Sequence, residues 1–338
     1  MSLLEYYIVP AIQEKQGPYR MIRNAGTNQQ RIELAEYHML KFFPKVTREE
    51  YEKYIVDEPY FEEVLQLVRY GFMKWYDWDI GKIEVNHNFQ HSINSYAYVD
   101  ENFPMFIHVD QLLESVLLGI MLTIFKWAKE YENNKEEVFF KDLLYLLNEV
   151  ALMGELPNEA SKTSLMNKVA IDCQIQNLAA DCHWAMLVFT VGHEVAHIYQ
   201  MNTNRVYWEE HPKEAEFNAD KIGYDILLHL IMEQSEQSSQ NLKMEEYAYL
   251  APMMYMDIFE MIYYTAYVLY DKEPFYGQHP SPEERKDFMF ELVEQDKYQF
   301  NTEEGNVSYQ WFCYIYDIYK EKLLEYKETG RLGKITRE

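Results

Sequence analysis

Positive charge is scarce in this chain: 31 Lys and Arg stand against 56 Asp and Glu, a formal net charge of -25. Nucleic acids and anionic membranes are bound through Lys and Arg at phosphates, so neither is expected as a partner. An acidic surface of this kind serves solubility. Cysteine is nearly absent. Cys173, Cys182 and Cys313 form no CxxC pair and leave one odd thiol, so no disulfide framework is expected, and the cytoplasm is the expected compartment. With 12 Gly and 11 Pro in 338 residues, the chain lacks the turn density of an all-β fold. Long apolar runs are missing too. The longest, Ser115 to Phe125, falls short of the roughly 20 residues a spanning helix needs and reads as a buried helix. The N-terminus opens apolar, but Glu5 interrupts it and no basic region precedes it, so it does not read as a signal peptide.

What is abundant favours helix. Hydrophobic residues make up 48%, enough for a substantial core, and Leu, Glu, Lys, Met and Tyr fill long stretches. Residues 1–80 are predicted mostly helical, with a capping box at Thr47 and Glu50. Phe72, Trp75, Tyr76 and Trp78 recur at near-helical spacing and predict a packing face. Between 82 and 99 the pattern shifts to one or two short strands, with strict alternation at Tyr96-Ala97-Tyr98-Val99. A turn at Asn102-Phe103-Pro104 precedes a strand at 105–109. Helices follow at about 110–132, 139–153, 164–200, 212–231, 247–270 and 308–328. Residues 154–163 form a loop, and the polar stretch 233–243 an exposed one. The expected class is α+β and predominantly helical, with a small antiparallel sheet. A central domain at 81–290 carries added helices at both ends, 1–80 and 291–338.

The chemistry concentrates in His193-Glu194-Val195-Ala196-His197. Two histidines four residues apart on a helix share a face and can bind one metal ion together. Glu194, beside the first, can reach a water on that metal. The pentad fixes three residues, so its surroundings matter. Ala185 to Gly192 is apolar and runs straight into His193, so the histidines lie on a buried helix, where they need partners. After 18 intervening residues comes Glu216-Phe217-Asn218-Ala219-Asp220. That gap suits one turn and a second helix, and His211-Pro212 suits its start. Glu216 can close a His2Glu site, with Asp220 one turn on as hydrogen-bond partner of a ligating histidine, His193 first. Glu214 rivals Glu216 on spacing alone. Glu216 is favoured because Asp220 follows at four residues and small Ala219 permits close helix packing. His87 and His91 are also four apart, but they fall in an expected strand or turn and are not expected to touch metal. Gln200 and Thr203 stand where a metzincin needs Gly and His.

His-Glu-x-x-His followed by Glu-x-x-Ala-Asp resembles the gluzincin zinc peptidases, and looks closest to the HtpX-like and CAAX-prenyl-protease branch and its soluble minimal relatives. The resemblance extends over roughly 85–290. It implies a zincin-like catalytic domain with Zn2+ on His193, His197 and Glu216, and Asp220 as the partner behind them. Ile93 to Val99 resembles the branch's edge strand, which pairs with substrate backbone and would involve Asn94, Ser95, Tyr96 and Ala97 here. Ser95 stands where the branch has alanine. His279-Pro280 with Arg285 resembles its His-Pro segment followed by Arg.

The expected activity is hydrolysis of a peptide bond in a peptide or protein substrate. Zinc lowers the pKa of a bound water and Glu194 acts as general base. The resemblance makes His279 the candidate second donor to the oxyanion, and Arg285 is expected to brace the acidic helices. Alternatives of other classes are a regulatory peptidase with one protein target, a catalytically silent zinc-binding interaction module, and a hydrolase of a non-peptide amide.

Overall fold

A computed structural model describes residues 59–81, 83–88, 95–100, 103–130, 173–203, 211–235, 247–274, 276–294 and 303–329, and five positions between 140 and 147. The capping box at Thr47 and Glu50, Asn94, His91, the loop at 154–163 and most of the polar stretch at 233–243 lie outside them.

The described chain is predominantly helical with one small sheet, an α+β arrangement. Its elements run α1 (Pro59–Tyr76), β1 (Glu84–Asn88), β2 (Ser95–Asp100), β3 (Phe103–Asp110), α2 (Gln111–Glu130), α3 (Cys173–Asn202), α4 (Pro212–Ser235), α5 (Ala251–Tyr270), α6 (Pro282–Glu294) and α7 (Glu303–Thr329). A 3-10 turn at Ala248–Leu250 leads into α5. Among the described residues no helix is long and apolar enough to cross a membrane.

The sheet has the order β1-β3-β2. β2 and β3 form the expected antiparallel pair, with Ser95 opposite Val109 and Ala97 opposite Ile107. β1 adds a parallel strand on the other side of β3, so the sheet is mixed. β3 begins at Phe103 rather than 105, and Pro104 lies inside it. Proline is tolerated there because the register between Tyr98 and Asp100 is irregular, away from a regular ladder. Directly opposed residues share a face. Ser95, Ala97, Ile107 and Val109 therefore face one way, and Tyr96 stacks on His108 at 4.9 Å on the other.

Helix α3 is the axis of the fold. From Cys182 to Gln200 nearly every residue is buried, as expected of a helix apolar all round. α1 packs on one side of it. Phe72, Tyr76 and Trp78 surround Tyr199 of α3, with centroids 5.1–5.8 Å away, and Trp75 stacks on His229 of α4 at 4.3 Å. The predicted aromatic face is thus a packing face. α2 contributes Leu117, Ile120, Ile124 and Trp127 to the same core. Cys182 is a buried free thiol, and burial pushes its pKa well up, so it is inert.

Helix α6 starts at a capping box formed by Ser281 and Glu284. The Ser281 hydroxyl accepts from the Glu284 N–H at 3.1 Å, and the Glu284 carboxylate accepts from the Ser281 N–H at 2.8 Å. One buried carboxylate of α5 ties that helix to both α6 and α7. Asp257 of α5 accepts from Lys286 of α6 at 2.6 Å and from the Tyr309 hydroxyl of α7 at 2.7 Å, while Glu260 takes a second contact from Lys286 at 3.2 Å. Removing the acid leaves the half-buried Lys286 ammonium with Glu260 alone and takes the carboxylate from the half-buried Tyr309 hydroxyl. Asp257→Ala is expected to cost roughly 1–3 kcal/mol of stability, read by denaturant unfolding.

Candidate metal centre

The centre starts from a helix crossing. Helices α3 and α4 meet at Gly192 and Gly223, where side chains would hold them apart. A Cβ on Gly223 would lie 2.8 Å from the His193 nitrogen and 3.1 Å from the Phe189 carbonyl oxygen; one on Gly192 would lie 3.1 Å from the Gly223 Cα. Ala219 and Ala215 are buried along the same seam, and the Gln200 amide donates to the Ala215 carbonyl at 3.1 Å. Backbones this close put short acidic side chains of α4 against the histidines of α3.

His193, His197 and Glu216 converge into one group whose ligand atoms all lie within 4.8 Å of one another and which could hold a metal ion. The two Nε2 atoms are 3.0 Å apart, and Glu216 oxygens lie 3.4 Å from His193 Nε2 and 3.3 Å from His197 Nε2. Such separations match the edges of a small coordination polyhedron with bonds of about 2.0–2.1 Å. Glu214, the rival by spacing, is exposed while Glu216 is buried.

Asp220 stands one turn beyond Glu216, fully buried, and His193 Nδ1–H donates to its Oδ1 at 2.9 Å. That bond leaves the Nε2 lone pair of His193 directed at the group. Arg285, on the first turn of α6, grips Asp220 with both ends of its fork, Nε to Oδ2 at 2.8 Å and Nη2 to Oδ1. Its Nη1 also lies 3.9 Å from Glu216.

His279 comes from the turn before α6. Its N–H closes the turn on the Tyr276 carbonyl at 3.0 Å, and Gly277 takes the left-handed conformation (φ 61°) that glycine permits. The imidazole Nδ1 contacts Glu216 Oε1 at 3.0 Å, with more than half the side chain exposed. The Glu194 Oε1 accepts from the Ser95 hydroxyl of β2 at 2.6 Å. Tyr96 is exposed and Ala97 half-buried on the same strand.

Two contributors were not singled out from sequence. One is the Gly192–Gly223 contact. The other is Tyr255 of α5, which looks like any other tyrosine of a core helix. It lies beside Thr190 and within the field of Arg285, Glu194 and Asp220, and burial pushes its pKa up to about 12, so it backs the centre as a neutral hydroxyl.

Charge is concentrated here. Glu194, Glu216 and Asp220 are all buried. Arg285 is the cation set against Asp220, and a divalent ion could balance the carboxylates that remain. Burial alone would lower the pKa of His193, but the Glu216 carboxylate and the Asp220 bond outweigh it and raise it to about 10. Burial likewise opposes ionisation of Glu216 and Asp220, yet His193 for the first and Arg285 for the second hold both below the ordinary carboxylate range.

Comparison with known proteins adds nothing to this geometry: no family model, curated protein or solved structure matches the chain.

Two outcomes are expected. Gly223→Ala forces backbone apart at the crossing and should cost about 1–3 kcal/mol in denaturant unfolding and weaken metal binding in titration calorimetry. The second concerns pH. In chelator-treated protein, a histidine raised above its ordinary 6.5 stabilises fully below pH 6.5 and loses that contribution as pH climbs towards 10. Glu216 and Asp220, depressed below 4.5 and 3.8, contribute fully above those values and lose it in acid. Melting temperature should therefore fall between about pH 7 and 10 without metal. It should hold level there with a divalent ion bound, because the ion replaces the proton on His193.

Proposed function

We propose that the protein is a zinc-dependent metallopeptidase of zincin-like architecture, hydrolysing peptide bonds in a peptide or protein substrate. The observation that carries this reading is the buried Glu194 carboxylate one residue from a His193–His197–Glu216 group. A metal site kept only for structure has no use for a buried base beside it. Two imidazoles and one carboxylate are a donor set suited to catalytic zinc, which takes three protein ligands and keeps a further position open.

His193, His197 and Glu216 hold the ion. When bound, zinc supplies Lewis acidity, activating water and polarising the scissile carbonyl. The protein's residues do the rest. Glu194 accepts the proton of the attacking water and delivers it to the departing amine. Asp220 keeps the Nδ1 proton on His193 so that Nε2 can bind, and Arg285 fixes Asp220. His279, exposed beside Glu216, donates to the oxyanion as it forms. Among the described residues β2 is an edge of the sheet, and an extended substrate can pair its backbone there along Ser95, Tyr96 and Ala97.

Protein purified without chelator should contain one zinc per chain by elemental analysis, and chelation should remove hydrolysis of a peptide library that added zinc restores. Glu194→Gln keeps the shape and the zinc while removing the base, so turnover should drop about 10²–10⁴-fold. Cleavage by this variant at the parental rate overturns the reading.

A further inference from the structure

We infer that Ser95 is a positioning residue for Glu194, coupling the base to the strand proposed to carry substrate; this rests on the metallopeptidase reading above. The Glu194 side chain is buried, and among the described residues the hydrogen bond it makes is the one from the Ser95 hydroxyl, at 2.6 Å. A buried carboxylate needs donors. It also has three rotatable bonds with a broad terminal torsion, so burial alone does not fix where its oxygens point.

The bond spans 99 positions in sequence and joins two different elements. Ser95 opens β2, and its backbone is registered against Val109 of β3. Val109 is fully buried, so the strand position is set by the core and the hydroxyl is delivered from a rigid frame. It engages Oε1 alone. Oε2 is left as the oxygen that takes a proton from water. Alternation along β2 sends the neighbouring Tyr96 to the opposite face, on His108, so of these two side chains only Ser95 meets α3. The same residue contributes backbone to the sheet edge and side chain to the base. Substrate paired on β2 and the oxygen that serves it are then held in one register.

Two measurements on the full-length protein as purified test this. Thermal unfolding of Ser95→Ala should lie about 2–4 °C below the parent, while the same change in a Glu194→Ala background should shift melting little. Equal shifts in both backgrounds mean that the two side chains are not coupled, and the proposal falls. In peptide hydrolysis Ser95→Ala should lower kcat about 10- to 100-fold with KM nearly constant, and Ser95→Thr should recover much of the loss. An alanine variant that turns over at or above the parental rate overturns the positioning role and leaves the peptidase reading standing. A parent that holds zinc but cleaves nothing defeats the peptidase reading, and the positioning role built on it, while the thermal cycle still decides whether Ser95 and Glu194 are coupled.

Discussion

Two helices touch backbone to backbone at Gly192 and Gly223, and the rest of the centre depends on that distance. Glutamate and aspartate are short. They reach the imidazoles of α3 from α4 only because nothing larger than hydrogen stands between the helices. The same contact makes the four-residue spacing useful: His193 and His197 on one helix and Glu216 and Asp220 on the other each present two groups along a shared groove. A single methyl at the crossing displaces both pairs together.

Close packing also creates an electrostatic problem. Three buried carboxylates gather within a few turns, and Arg285 compensates one of them. The fold brings that arginine in from a third helix and secures that helix on either side of it in its first turns. A capping box at Ser281 and Glu284 fixes its first turn, and Asp257 holds the next residue, Lys286, while also gripping Tyr309 of α7. Helix α7 is thereby linked to the helix that carries Arg285 through the Tyr309–Asp257 hydrogen bond and the Asp257–Lys286 ion pair. What charge remains is what a divalent cation could neutralise, and against the opposing effect of burial the same carboxylates raise the pKa of His193.

Much of this was legible in the chain because it is local. Helical periodicity placed the two histidines on one face and the two acids on another, and the apolar run before His193 announced burial. The choice of Glu216 over Glu214 followed from the same spacing, and the structure brings Glu216 to the histidines and leaves Glu214 exposed. The capping box at 281–284 is equally local, a Ser-x-x-Glu pattern at the start of α6. Other features were not legible for a physical reason. The Gly192–Gly223 contact pairs residues on different helices, and a lone glycine in a helix does not say what it meets. The hydroxyl of Ser95 reaches Glu194 across 99 positions. The parallel docking of β1 on β3 depends on a connection that no short pattern encodes. Tyr255 shares its sequence character with the core tyrosines around it.

Strand β2 ends the sheet, six residues long and without a further strand beside it among those described. An unpaired row of amides and carbonyls recruits any extended chain, including a sibling molecule. Here that hazard is contained by brevity and by repulsion: the ladder offers few rungs, and every copy arrives carrying the same -25 formal charge. The acidic composition thus acquires a colloidal purpose, keeping copies of a short strand edge apart so that it does not seed fibrils.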